Sequence, residues 1–167
     1  MRNALIHLDW NRRSDMLAVN SATELVFVEV NGANSQQLDR AVAFNEKDWH
    51  SWTCRFGFPV QGIWPGSSFK GVNAVAASHG SGVIATAEES GLVKLFRYPC
   101  TEARAQAMEC RAHSSHVTRV AFSANDQFVV TVGGHDKTVC IWETDLSGAD
   151  AKRQDDPSDE ILGDEYE

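Results

Sequence analysis

AHSSHVTRVAFSANDQFVVTVGGHDKTVCIW, residues 112–142, decides how the rest of the chain is read. Three apolar runs rich in Val and Phe lie within it, and the pattern predicts strands over 117–122, 127–132 and 138–142. Ser123-Ala124-Asn125-Asp126 separates the first pair, and residues 133–137 separate the second. Short β-branched and aromatic runs bounded by Gly, Asn, Asp and Ser read as antiparallel strands joined by tight turns. A sheet this small cannot bury both of its faces alone and is stable only against similar sheets.

An Ala-His pair opens the stretch and an Ile-Trp pair closes it. That resembles a WD repeat, which opens on Gly-His and closes on Trp-Asp. Ala112 and Glu143 are the departures. The resemblance implies a buried network of His before the first strand, Asp in the turn before the third, and Trp on the third. Those places fall to His113, Asp136 and Trp142. The fourth place, a Ser or Thr at the end of the second strand, falls to Val132. Thr131 is adjacent, and the two-residue strand period turns it to the opposite face. An incomplete network is therefore expected, with water or backbone filling the gap.

The unit repeats. Residues 73–96 can be laid on 118–142, with Val75 and Val120 45 residues apart, the period of a propeller blade. Phe96 then stands for Trp142, Thr86 for Val132 and Ser90 for Asp136. This copy predicts strands over 72–77, 83–87 and 92–97. A more divergent copy runs over 5–10, 16–19 and 25–30. The fold expected is all-β: a partial WD-repeat propeller of about three four-stranded blades, the last lacking its outer strand. Blades fall at about 1–56, 57–110 and 111–144, so the propeller part is 1–144. Closed propellers protect their sheet edges. An arc leaves an apolar face at each end and an unpaired strand after Trp142. The missing blades are then in the same gene product or another chain, or the piece is poorly soluble alone.

Charge excludes some classes. The formal net charge is −8, and residues 143–167, with ten acidic and two basic groups, account for all of it. Residues 1–142 carry thirteen of each sign, with no basic stripe for a nucleic acid backbone. The acidic tail, 145–167, is expected to be disordered and solvated. No apolar run approaches a membrane span, and the N-terminus lacks a signal-peptide core, so a cytoplasmic protein is expected. The four cysteines show no CxxC pair and suggest no disulfide framework. Cys110, His113 and His116 have Cys-x2-His-x2-His spacing, but it suits a closed tetrahedral site poorly. No metal and no cofactor are expected.

The most specific segment lies between the first two copies: WHSWTCRFGFPVQGIWP, residues 49–65. It holds three of the five tryptophans. Aromatics in a repeat protein commonly fill the space between sheets, and only 52–56 reads as a strand. Trp-x-x-Trp-Thr-Cys, then Gly-Phe-x-Val-x-Gly-Ile-Trp-Pro, resembles the echinoderm microtubule-associated protein-like family. So do VKLFRYPC at 93–100 and HSSHVT at 113–118, in the family's order. The resemblance implies two joined propellers and an N-terminal coiled coil in whole members. This chain has no heptad pattern. It also implies a non-enzymatic protein-interaction module with a protein partner, tubulin or microtubules being the cytoskeletal choice. Blade-edge residues Ser114, Ser115, His116, His135 and Lys137 would form the contact, because loops on rigid scaffolds commonly carry binding. A scaffold in a non-cytoskeletal complex is the alternative. A hydrolase using the loop Ser and His residues would need a nucleophile turn that the sequence lacks.

Overall fold

The computed structural model describes residues 4–32, 34–38, 49–64 and 71–146. Eleven strands form three antiparallel sheets. The first contains β1 (Leu5–Trp10), β2 (Met16–Ser21), β3 (Leu25–Glu29) and β4 (Gln36–Leu38) in chain order. The second contains β5 (Val72–Ala77), β6 (Val83–Glu88), β7 (Leu92–Arg97) and β8 (Met108–Arg111). The third contains β9 (Val117–Phe122), β10 (Phe128–Gly133) and β11 (Val139–Glu143), with β10 central. This is an arc of a β-propeller, and each strand read from the repeat is present to within two residues. The short outer strands β4 and β8 lie outside those readings. Gln36-Gln37-Leu38 and Met108-Glu109-Cys110-Arg111 lack the Val and Phe runs that mark the others.

Turn chemistry sets the registers. Asn11 Oδ1 accepts the amides of Asp15 (3.1 Å) and Met16 (3.0 Å), closing the β1–β2 turn as a side-chain cap would. Asp126 and Lys137 hold φ values of 56° and 54° in the β9–β10 and β10–β11 turns, a region that Asp tolerates better than most residues. Each first strand carries a register shift near its start, at Leu5/His7 in β1, Val72/Ala74 in β5 and opposite Val132/Gly133 in β9. Bulges of this kind tighten twist where sheets crowd together.

Two different interfaces stack the sheets. Between the second and third, Ala74, Ala76, Ala85 and Ala87 meet Val117, Val120 and Val129. Small side chains let these backbones approach, and β5 lies directly against β9. Asp126 clasps the same pair at the turns. It accepts the amides of His79 and Gly80, each at 2.9 Å, and the Ser81 hydroxyl at 3.1 Å. Between the first and second sheets the space is wider, and the aromatic segment fills it. Trp49, Trp52, Cys54, Val60, Ile63 and Trp64 join Ala18, Val75, Ile84 and Phe96 in one buried cluster. Trp49 meets Trp52 edge to face at 5.4 Å, and Phe56 stacks on Trp64 at 5.8 Å.

Residues 52–56 do not form a strand, contrary to the sequence reading. The amides of Thr53 (2.7 Å) and Cys54 (2.9 Å) donate to the carboxylate of Asp9 on β1, not to a neighbouring ladder. Beyond them, Phe58–Ile63 is a short 3-10 helix begun by Pro59. The expected disorder of the acidic tail concerns residues 147–167, which lie outside the described residues.

Candidate functional site

The turns that join the third sheet to its neighbour converge on a buried imidazole. His113 precedes β9, and its side chain is fully buried. Its Nε2 lies 2.8 Å from Thr131 Oγ1, and Trp142 Nε1 donates to the same oxygen at 2.9 Å. On the other side Nδ1 lies 3.1 Å from Asp136 Oδ2 and 2.9 Å from Thr138 Oγ1. One assignment satisfies every group. Indole N–H donates to Thr131, the Thr131 hydroxyl donates to Nε2, and Nδ1–H donates to Asp136. The carboxylate also accepts the amides of Ser114 (3.2 Å) and Thr138 (3.3 Å). Burial alone would raise the pKa of Asp136. The Thr138 amide and the His113 ring outweigh it and hold the carboxyl below its usual range.

The network is thus complete, and its fourth member is Thr131, not Val132. Thr131 is fully buried, whereas Val132 is 36% exposed on the outer face. The ladder pairs Thr131 with Cys140 and Val129 with Trp142, which puts Thr131 and Trp142 on one face. The 45-residue spacing of Val75 and Val120 already lays Thr86 on Thr131. Counting back from the closing Trp gives Val132 because the β10–β11 turn is one residue longer than the β6–β7 turn. Replacing Thr131 by Val should cost about 2 kcal/mol, since it strands His113 Nε2 and Trp142 Nε1 together. Val132→Thr should be neutral. Urea midpoints of the two variants check both statements, and equal midpoints would refute the assignment.

The network holds two loops from beneath. Gly134 N donates to His116 O at 2.9 Å, and the His116 and His135 rings meet edge to face at 5.0 Å. Ser115 Oγ lies 3.1 Å from His116 Nδ1. Ser114, His135 and Lys137 are exposed, while Ser115 and His116 are half-buried. The structure therefore gathers these five residues on one rim, around the network of His113, Asp136 and Trp142. As a hydrolytic centre the rim is poorly equipped. Asp136, the carboxylate that a Ser115–His116 pair would need behind it, is turned to His113. Burial pushes the Cys54 thiol far above its normal range and Cys100 to about 11, so neither is a poised thiolate. Among the described residues no three His, Cys, Asp or Glu side chains are placed to hold a metal ion.

His7, on β1, went unnoticed in the sequence because a lone His in a strand carries no signal. Its ring is buried with neither nitrogen hydrogen-bonded. Burial first, then the Arg119 and Arg55 guanidiniums, lower its pKa to about 4. A group with a depressed folded pKa binds its proton more readily when unfolded. Stability should therefore fall as pH drops from about 6.5 toward about 4, and His7→Gln should flatten that slope. Below about pH 4 the depressed carboxyls of Asp126 and Asp136 should add a second loss. Urea midpoints at several pH values from neutral to acid would decide. An unchanged slope in His7→Gln would exclude this role.

Comparison with known proteins follows the same outline. Residues 1–144 match a family model described as the echinoderm microtubule-associated protein second beta-propeller. Echinoderm microtubule-associated protein-like 2 of Rattus norvegicus is 39% identical over 140 residues, covering 83% of this chain and 21% of the relative. The human protein-like 4 is 36% identical over 141 residues, covering 83% of this chain and 14% of the relative. The chain thus spans between about a seventh and a fifth of these relatives. Among solved structures, one chain of a mitotic checkpoint complex crystal structure aligns over 83% of this chain and 33% of its own. Its identity is 15% and its TM-score 0.38, too distant to add weight.

Proposed function

The chain belongs to the echinoderm microtubule-associated protein-like family, and from that we propose that it is a non-enzymatic protein-interaction module of the cytoskeleton, with tubulin or the microtubule as its partner. The observation that carries this reading is the rim of Ser114, Ser115, His116, His135 and Lys137, fixed on a rigid sheet by a satisfied hydrogen-bond network. A contact surface ordered before binding loses little entropy when it docks. The module acts within a larger propeller. On the third sheet Val130, Val132, Val139 and Ile141 form an outward apolar face with no sheet against it among the described residues, Ile141 being 70% exposed. On the first sheet Leu8 and Trp10 face outward. Faces of this kind are where further blades of the same or another chain would stack. No described helix is long and apolar enough to cross a membrane.

The acidic tail works against this contact, because the microtubule surface is itself acidic and like charges repel. The test is co-sedimentation of the full-length protein with microtubules, with and without residues 145–167. Removing the tail should strengthen binding at about 0.01 M salt, where the Debye length is about 30 Å. It should matter little at about 0.15 M, where that length is about 8 Å. Lys137→Glu with His135→Ala should weaken binding at both. Loss of binding on tail deletion would make the tail the contact and overturn the reading.

A further inference from the structure

The first strands of the sheets converge, and basic side chains collect where they begin. Residues 51–55 are wedged between β1 and β5: Asp9 holds the amides of Thr53 and Cys54, and the Ala77 amide donates to Trp52 O at 3.0 Å. Arg55, next in the chain, donates from Nη1 to Val72 O at 2.7 Å, at the start of β5. Asn73 beside it donates to Val117 O at 2.9 Å, at the start of β9. Arg119 follows two residues later, immediately after the bulge of β9. His7 holds the corresponding place after the bulge of β1, paired with Asn20. The two guanidiniums act electrostatically on His7 and on each other.

Two features of this cluster are unusual. Neither guanidinium has a carboxylate partner among the described residues. Asp9, two residues from His7, is already occupied by Ser51, Thr53 and Cys54. Glu89 hydrogen-bonds Asn73. In addition, polar atoms here are buried without a partner: both nitrogens of His7, Nε of Arg55 and Oδ1 of the fully buried Asn20. Buried polar atoms are nearly always satisfied, so several unsatisfied ones in one place point to a missing partner. Two cations beside unused N–H donors define that partner as an oxyanion, and a guanidinium fork matches a carboxylate best.

We propose that Arg55, Arg119 and His7 form a carboxylate-binding site at the mouth of the axis on which the sheets converge, and that it receives a glutamate or aspartate side chain from an acidic protein segment. The inference rests on the reading of the chain as a protein-interaction module, and it gives that module a site separate from the loop rim.

Fluorescein-labelled hexaglutamate is the probe, titrated against the full-length protein by anisotropy, with hexaglutamine as the uncharged control. Arg119 is exposed, so Arg119→Gln should fold normally, and an unchanged urea midpoint verifies this. It should weaken hexaglutamate about tenfold, the order of one charge-assisted contact. Arg97→Gln, exposed at the far end of β7, removes the same charge elsewhere and should leave binding unchanged. Absence of hexaglutamate binding, equal binding by Arg119→Gln, or equal loss in Arg97→Gln would each overturn the site. Microtubule co-sedimentation of the wild type tests the module reading separately, so either can fail without the other.

Discussion

Asp9→Ala should be among the most damaging single polar substitutions in the chain, lowering stability by about 3–5 kcal/mol. The figure is that for removing one side of a buried, charge-assisted cluster. Asp9 is 1% exposed. It accepts the amides of Thr53 and Cys54 and the hydroxyls of Ser51 (2.8 Å) and Thr53 (3.1 Å). Alanine would leave two buried backbone donors with no acceptor and no space for bulk water. Those amides fix the start of the aromatic segment, so the loss should spread to the Trp49–Trp52 pair. Two measurements check this: the urea midpoint, and a red shift of tryptophan emission under native conditions. Ser51→Ala removes one hydroxyl and should cost about 1 kcal/mol. A loss below that in Asp9→Ala would show that the segment is held by its aromatic packing alone.

Asp9 also shows what the sequence left hidden. Residues 52–56 have strand composition, and nothing local says that a carboxylate 44 residues earlier captures their amides. The contact is non-local and polar, whereas strand patterning reports only local apolar order. The strands of the three repeats were legible because their Val and Phe runs and Gly or Asn turns agree at each level. The network was three-quarters legible. His113, Asp136 and Trp142 carry a distinctive spacing, but Thr131 was displaced by a one-residue difference in turn length. A strand slip of one residue reverses a side chain, so a small alignment error becomes a wrong face. The basic cluster was not legible at all. Arg55, Arg119 and His7 are 112 residues apart at the extremes, and only the convergence of three first strands brings them together.

Gly133→Ala should cost about 3 kcal/mol, the upper end of ordinary overpacking. The reason is specific to this turn. Gly133 is buried at the end of β10, donating to Thr138 O at 2.9 Å. A methyl group there would overlap the Asp136 carboxylate and come within 2.6 Å of His113 Nδ1. Neither neighbour can retreat easily, since Asp136 is short and held by His113, Ser114 and Thr138. The methyl should therefore expel Asp136 and leave Nδ1–H of His113 with Thr138 alone. That account predicts strong non-additivity. In an Asp136→Ala background the carboxylate is gone, the space is open, and Gly133→Ala should cost well under half as much. A double-mutant cycle by urea denaturation provides the measurement. Additive costs would mean that the glycine is required by the backbone itself, and that the close packing of the network over it is incidental.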